Sequence, residues 1–275
     1  MSRELSALVD ALDATWSSLR SVCNELTPQE WLLPTECPGW TVRDQVAHVA
    51  AVEHRLLGRP ELPSELPEDM PYVRNDFGRL MERGVHPRRA REVVDILEEF
   101  DDVTDERLAY LRSAPLDPET PVIGVLGREM PLTQMLAVRV FDCWTHEQDV
   151  RRAVGRPGNL DGPGAAVSRD QIVQSLPYVV AKKAAAVPGT AVSFDVDGPL
   201  TVNTTVAVGD DGRGVLRDMS ATPPALAGPT AHLATDWETF ARLSAGRIEP
   251  LHATVVVDGD RELAERVLVA MAITP

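Results

Sequence analysis

Apolar residues recur at helical spacing through the first half of the chain. Between residues 2 and 24 they follow one another at steps of three and four positions, which places them on one face of an α-helix. They are Leu5, Leu8, Val9, Leu12, Trp16, Leu19 and Val22. The same pattern predicts a third helical region, with or without a break, from after residue 87 to about 112. It also predicts a fourth helix from about 132 to 154.

The second helix is predicted from its ends. The residues TVRD at 41–44 have the form of a capping box, in which the threonine accepts from first-turn amides and the aspartate reaches back. This helix is expected to end near Leu57, because Gly58 and Pro60 follow. Residues 60–72 carry several prolines and acids, which predicts a surface crossover. Four helical segments joined in this way predict a four-helix bundle over residues 1–157.

The pattern changes beyond residue 157. The stretch GRPGNLDGPGAA at 155–166 is rich in glycine and proline, which is typical of a linker. Helical and alternating patterns are then mixed. The predicted elements are a helix at 172–186, strands at 191–196 and 200–208, a turn at 209–214 leading into Val215 and Leu216, a helix at 236–245, a β-branched run at 254–257 and a closing helix capped at 258–260. The fold class is therefore an all-α domain followed by a smaller α+β domain at 167–275.

The composition argues against several kinds of binding partner. The chain has 275 residues and a formal net charge of −15, and a nucleic-acid surface would need clustered Lys and Arg instead. No long apolar run occurs, so we expect no transmembrane helix and no membrane partner. The start, MSRELSALVDALDATW, does not resemble a signal peptide, which predicts a cytoplasmic protein. The three cysteines, Cys23, Cys37 and Cys143, do not predict a disulfide framework.

The segment FDCWTHEQDVRR at 141–152 carries the candidate chemistry. It places Asp142 and His146 four positions apart on the fourth predicted helix, so both side chains project from one face. Two such side chains can converge on a divalent ion, and a third ligand must then come from another helix. His48 is the candidate, because it lies mid-helix among valines in DQVAHVAAVEH. Two histidines, one carboxylate and an open position form a catalytic metal site rather than a structural one.

Simpler interpretations fit the same residues. An Asp four residues before a His also occurs on ordinary solvated helix faces, and a histidine among apolar residues can be a hydrogen-bonded core residue. The segment HEQDV departs from the HExxH pattern of zinc proteases, because Val150 stands at its last position. For Glu147 and Asp149 we expect roles in supporting the ligands or facing solvent rather than binding the ion.

Several stretches together resemble the mycothiol-dependent maleylpyruvate isomerase family, a branch of the DinB-like bundle enzymes. In the first half they are CPGWTVRDQVAHVAAVE at 37–53 and RVFDCWTHEQDVRRAVGRP at 139–157. In the second half they are TDWETFARLSAGR at 235–247 and VVVDGDRELAERVLVAMAITP at 255–275. The resemblance implies a DinB-like four-helix bundle that carries a divalent metal, followed by a C-terminal domain similar to sterol carrier proteins.

The resemblance also implies a ligand set and a chemistry. The histidine of the family's second helix and the carboxylate-x-x-x-His pair of its fourth helix fall on His48, Asp142 and His146. Zn²⁺ is the usual metal in the family, and mycothiol, the thiol of actinobacteria, is the cosubstrate. Relatives carry His or Glu where Asp142 stands, so this chain has a shorter side chain at that position.

The implied reaction begins with attack of a thiolate on a small electrophilic substrate. Addition to an activated double bond, rotation and elimination would make the protein an isomerase, whereas addition alone would make it an S-transferase. An anionic thiol or diacid substrate requires cationic side chains. The candidates for this anion binding are Arg43, Arg55 and Arg151 in the first half and Arg242 and Arg247 in the second.

Two other functions fit the sequence. The protein could be a non-enzymatic binder of metal and of an apolar ligand held in the sterol-carrier-like half. It could also be an interaction or stress protein that uses the bundle as a dimer surface. We expect a monomer or a homodimer, with a small-molecule thiol and a small electrophile as partners.

Overall fold

Four long helices dominate the first part of the chain. The computed structural model describes residues 2–114, 116–124, 127–218 and 230–274. The helices in the first part are α1 (Arg3–Cys23), α2 (Val42–Leu56), the shorter α3 (Asp76–Val85), α4 (Val93–Ser113) and α5 (Leu132–Ala153). Helices α1 and α2 each pack against both α4 and α5, so the four long helices enclose one core. Its buried residues include Leu12, Trp16, Leu19, Val46, Val49, Phe100, Val103, Leu136 and Val140.

Helix α2 begins at the predicted capping box. The backbone N–H and the hydroxyl of Thr41 both donate to one Asp44 carboxylate oxygen, each at 2.9 Å. The helix ends at Leu56, and Gly58 follows with a φ of +72°, a conformation that favours glycine. These ends fix the position of every side chain along α2 relative to the bundle core.

Helix α3 differs from the sequence prediction, which placed the third helical region only after residue 87. Its N-terminus is capped by Asn75, whose side chain accepts from the backbone N–H of Gly78 at 2.9 Å. Gly84 lies against α2: a Cβ built there would stand 2.8 Å from the Cβ of Ala51. Glycine therefore allows the close approach of the two helices, although its low helix propensity hides the helix in the sequence pattern.

A short hairpin, which the sequence pattern does not predict, precedes α5. Strands β1 (Pro121–Ile123) and β2 (Glu129–Pro131) pair antiparallel. Each strand has three residues, too few to show an alternating pattern.

The second part of the chain contains a five-stranded sheet. Its strands are β3 (Ala191–Asp197), β4 (Val202–Val208), β5 (Gly214–Asp218), β6 (Ala231–Asp236) and β7 (Val256–Gly259), in the spatial order β5-β4-β3-β6-β7. Strands β3 and β6 are parallel and the other pairs antiparallel. The helices are α6 (Pro163–Tyr178), which continues as one π-helical turn (Val179–Lys183), α7 (Trp237–Ser244) and α8 (Arg261–Ala270).

Helix α6 begins inside the stretch that the sequence analysis assigned to a linker. Its first residue is Pro163, and proline is favoured there because the first amides of a helix have no partner within it. Strand β6 was also missed. The remaining strands and helices of this part lie close to their predicted positions, and Asp236 and Asp260 cap α7 and α8.

The contacts divide the chain into two units. The first ends at Val167 and the second runs from Ser168 to Thr274; Pro275, the last residue of the predicted second domain, lies outside the described residues. The predicted fold class, a helical region followed by a smaller domain with a sheet, is confirmed. Within the described ranges, no helix is long and apolar enough to cross a bilayer.

Candidate metal centre

Helices α2 and α5 bring the three predicted ligands together. His48 lies mid-way along α2, and Asp142 and His146 lie one turn apart on α5, which packs against α2. One donor atom from each side chain lies within 4.8 Å of the donor atoms of the other two. The sequence names all three residues, and the packing of α2 against α5 brings His48 to the pair on α5.

The distances within the cluster suit a small divalent ion. His48 Nε2 lies 3.2 Å from Asp142 Oδ2, and His146 Nε2 lies 3.6 Å from Asp142 Oδ1. Donors bound at about 2.0–2.1 Å around a tetrahedral ion stand about 3.3 Å apart. Both histidine–carboxylate distances are therefore close to the spacing of donors around a zinc-sized ion, and the two histidine donors lie within 4.8 Å of each other.

The cluster is closed on the histidine side and open at the carboxylate. His48 and His146 are buried, whereas 29% of the Asp142 side chain is exposed. Three protein donors with one accessible side are the arrangement in which a catalytic metal keeps a position for a further ligand.

Burial keeps His48 in the form that can bind a metal. It lowers the pKa of His48 to about 4, an effect that the Asp142 carboxylate only partly opposes. The imidazole is therefore neutral at pH 7. For Asp142, burial acts to raise the pKa, but His48 and the Arg139 guanidinium outweigh it and hold the pKa well below its usual value. The cluster thus offers two histidines and one carboxylate, with His48 neutral and Asp142 ionised.

Gln45 fixes the tautomer of His146. The Thr35 hydroxyl donates to the carbonyl of Trp40 at 2.9 Å and accepts from Gln45 Nε2 at 2.6 Å. The amide oxygen of Gln45 must then face His146, whose Nδ1 donates to it at 2.5 Å. Asp149, 3.5 Å from the same Nδ1, is a second acceptor. Nε2 is therefore left unprotonated toward Asp142, as a metal ligand requires.

Trp40 covers the two histidines with its indole ring. The ring centroid lies 5.1 Å from that of His48 and 5.7 Å from that of His146. The indole Nε1 donates to buried Glu82 at 2.6 Å, and Arg89 pairs with the same carboxylate. Trp40 and Gln45 both lie in the stretch 37–53, but no pattern in the sequence singles them out.

Comparison with protein families agrees with both halves of the chain. Residues 12–151 match the model of the mycothiol maleylpyruvate isomerase N-terminal domain, and residues 166–266 match that of the C-terminal domain of the same family. The chain belongs to the mycothiol maleylpyruvate isomerase family. The resemblance seen in the sequence is thereby confirmed.

Two solved structures of a related protein share the fold of this chain. One, a crystal structure of the mycothiol-dependent maleylpyruvate isomerase, is 15% identical, with a TM-score of 0.55 over 94% of this chain and 96% of that one. A mutant of that isomerase with a histidine replaced by alanine is 14% identical, with a TM-score of 0.56 over 93% of this chain and 95% of that one. No curated protein matches the chain at a significant level of similarity.

Glu147 lies next to His146 in sequence, but its hydrogen bonds go to residues outside the candidate cluster. Its buried carboxylate accepts from Ser18 Oγ at 2.6 Å and from Arg151 Nε and Asn159 Nδ2 at 2.7 Å. Burial raises its pKa, against these hydrogen bonds. Glu147 therefore ties α1 and the segment after α5 to the bundle. Asp149, also buried, pairs with Arg152 at 3.0 Å as well as facing His146.

The arginines proposed for anion binding lie in different surroundings. Arg55 pairs with Glu61 at 2.5 Å, and Arg151 pairs with Glu147 at 2.7 Å. Arg43 lies in the first turn of α2. In the second unit, Arg242 lies on α7, and Arg247 donates to the carbonyl of Ala245 at 2.9 Å just after it. An anion-binding role of Arg242 and Arg247 stays a prediction.

Proposed function

We propose that the protein is a metal- and thiol-dependent isomerase or S-transferase that acts on a small electrophile, with mycothiol or a similar low-molecular-weight thiol as cosubstrate. The observation that carries this proposal is the cluster of His48, Asp142 and His146 in a chain whose two halves both match the isomerase family. The structural neighbours named as mycothiol-dependent maleylpyruvate isomerases support the same class of reaction.

His48, Asp142 and His146 are the residues that would hold the ion, and zinc is the ion we propose. Two imidazoles and one carboxylate suit Zn²⁺, and the distances between them match its small coordination sphere. When bound, such an ion supplies Lewis acidity, which lowers the pKa of a thiol at the open position to near neutrality.

Neighbouring residues orient the three proposed ligands and set their protonation for metal binding. Gln45 holds the Nδ1 proton of His146, and Trp40 covers the histidine rings and excludes water from that side. Arg139 donates to Asp142 at 2.5 Å and balances the charge of the carboxylate. Arg139 thereby offsets part of the negative charge that Asp142 would bring to a bound ion. Arg242 and Arg247 are our candidates for contacts to an anionic thiolate and to substrate carboxylates.

The thiol reaction needs no oxidant. The sulfur of the thiolate adds to one carbon of a double bond conjugated to a carbonyl, and the former double bond becomes a single bond that can rotate. Elimination of the same sulfur restores the double bond in the other geometry and returns the thiol. If elimination does not occur, protonation of the neighbouring carbon leaves a thioether, which is the S-transferase outcome.

The first test is the metal content of the purified protein. We expect close to one equivalent of zinc by elemental analysis in the wild type and its loss in His48→Ala and His146→Ala. His54→Ala is the matched control, since His54 lies on the same helix but pairs with Glu99 at 3.1 Å. Retention of the ion in either ligand variant would contradict the proposed site.

The second test is thiol-dependent turnover by the zinc-loaded protein. Maleylpyruvate, with mycothiol and other low-molecular-weight thiols in turn, is the first substrate to assay. Free thiol is measured throughout, because an isomerase returns the thiol whereas an S-transferase consumes one equivalent per product. If the zinc-loaded protein shows no thiol-dependent activity on maleylpyruvate or on other small electrophiles, the result would contradict the proposed enzymatic function and favour a binding protein.

A further inference from the structure

A buried ion pair lies directly behind the metal cluster. Glu53 on α2 is fully buried, and Arg139 on α5 is 2% exposed. The Glu53 carboxylate accepts from Arg139 Nε at 2.8 Å and also lies 2.8 Å from Nη2. The third nitrogen of the same guanidinium, Nη1, donates to Asp142 Oδ2 at 2.5 Å. One planar group therefore joins the two carboxylates.

Each nitrogen of the guanidinium has a partner. Besides the two carboxylates, its Nη2 lies 3.3 Å from the Sγ of buried Cys143. A second arginine, Arg107 on α4, approaches the other oxygen of Glu53 with its Nε at 3.5 Å. The chain of charges thus runs from Arg107 through Glu53 and Arg139 to Asp142.

Stability alone does not explain such an arrangement. Removing two charges from water costs several kcal/mol per ion, and an apolar pair of similar size often stabilises a core as well or better. A planar guanidinium can, however, fix the orientation of a carboxylate, which a compact charge such as an ammonium group cannot do. Asp142 is the most exposed of the three proposed ligands. The rings of His48 and His146 are held by the buried packing around them, whereas the Asp142 carboxylate is not.

We propose that Arg139 is a positioning residue for the metal centre, an inference that rests on the proposed function. It holds Oδ2 of Asp142, and fixing one oxygen fixes the plane in which the carboxylate faces His48 and His146. Glu53 in turn holds Arg139. Its Nη1 bond to Asp142 Oδ2 is the contact through which Arg139 would act on the metal centre.

The test compares metal binding by the full-length apoprotein of the wild type, Arg139→Lys and Arg107→Lys. Lysine keeps the charge but cannot join the two carboxylates with one planar group. We expect Arg139→Lys to bind Zn²⁺ about 10- to 100-fold more weakly in competition with a chromophoric chelator. Co²⁺ bound to this variant should show altered visible absorption, which reports ligand geometry directly. Arg107→Lys, which disturbs the same buried pair from the other side, should keep both the affinity and the spectrum of the wild type.

Each failure has a distinct meaning. Wild-type protein that binds no metal contradicts the proposed function itself. If the wild type binds and Arg139→Lys binds equally well, only the inference about Arg139 is overturned. Equal weakening in Arg139→Lys and Arg107→Lys also overturns it, since that result indicates a general disturbance of packing. Circular dichroism of the apoproteins shows whether each variant folds.

Glu53→Gln decides the question if Arg139→Lys does not fold. It removes the charge that anchors the guanidinium, keeps the size of the side chain and leaves every proposed ligand unchanged. We expect about tenfold weaker Zn²⁺ binding. Wild-type affinity in this variant would overturn the inference.

Discussion

At the scale of single residues, Gln45 should set the metal affinity through His146. Gln45→Leu removes the acceptor at 2.5 Å from the Nδ1 of His146, whereas Asp149 stands farther away, at 3.5 Å. The other tautomer, which carries its proton on Nε2, then competes with metal binding, and we expect about 10- to 100-fold weaker Zn²⁺ binding by chelator competition.

Gln148→Leu is the matched control for this variant. Gln148 is buried on the same helix as His146, but its amide donates to the carbonyl of Gly158 at 3.1 Å. Its replacement should lower stability and leave the metal affinity unchanged. A similar loss of affinity in both variants would show that the tautomer of His146 is not the cause.

The cysteines should differ sharply in reactivity. Burial raises the pKa of Cys23 and of Cys143 to about 12, so only about one thiol in ten thousand is ionised at pH 8. Cys37 is half-buried in the loop before α2. We expect one thiol to react rapidly with DTNB in the native protein, all three in denaturant, and no rapid reaction in Cys37→Ser. Rapid labelling of Cys143 in the native state would contradict this assignment.

The sequence predicts which residues are the proposed ligands, but not which residues hold those ligands in place. Helical spacing places Asp142 and His146 on one face, the position of His48 among valines makes it the third candidate, and the family resemblance implies the same three residues. The side chains that hold them come from distant positions: Gln45 reaches His146 across 101 residues, and Arg139 reaches Glu53 across 86. Such contacts depend on the packing of whole helices, and no local pattern encodes them.

At the scale of secondary structure elements, the N-cap of α7 should make the stability of the protein depend on pH. The Asp236 carboxylate accepts from the backbone N–H of Thr239 at 2.9 Å and from its hydroxyl at 2.6 Å. Burial opposes ionisation, but these hydrogen bonds outweigh it and lower the pKa of Asp236. A depressed native pKa stabilises the fold above the unfolded pKa, and this contribution is lost as the pH falls through the native value.

Asp236→Ala should therefore destabilise the protein by about 0.5–2 kcal/mol at pH 7. The difference from the wild type should shrink at pH values below the native pKa of Asp236. Urea unfolding followed by circular dichroism at a series of pH values measures both effects. A difference that stays constant down to acid pH would show that the charge of Asp236 does not contribute.

Elements with clear ends or unbroken periodicity are the ones that the sequence predicts. α1 shows the periodicity, α2 shows the capping box, and α5 is closed by Gly155. α2 and α5 carry the proposed ligands. Helix α3 was missed because Gly78 and Gly84 interrupt its pattern, and Gly84 is required there by the contact with Ala51. Strand β6 was missed because its sequence, AHLATD, mixes small and polar residues. It is paired on both sides within the sheet, so tertiary context rather than propensity makes it a strand.

At the scale of the whole molecule, metal binding should appear as added stability. Zinc that binds the native state and not the unfolded chain stabilises by about 2.7 kcal/mol when free zinc is at 100 times its Kd. For a unit of this size, that corresponds to a rise in Tm of about 5–10 °C.

Tryptophan fluorescence can follow the first unit alone. This unit contains four of the five tryptophans, Trp16, Trp31, Trp40 and Trp144, and the second unit contains Trp237. The Trp237→Phe variant thus makes tryptophan fluorescence a probe of the first unit.

In this background, zinc should raise the Tm seen by fluorescence and EDTA should reverse the change. Adding His48→Ala should abolish most of the rise, because two donors remain where three are needed to enclose the ion. His54→Ala, on the same helix, should keep it. The comparison separates binding at the cluster from binding elsewhere on a chain of net charge −15, whose many carboxylates can attract divalent cations without a specific site. An equal rise in the His48→Ala protein would assign the stabilisation to those carboxylates and contradict a metal centre built on His48, Asp142 and His146.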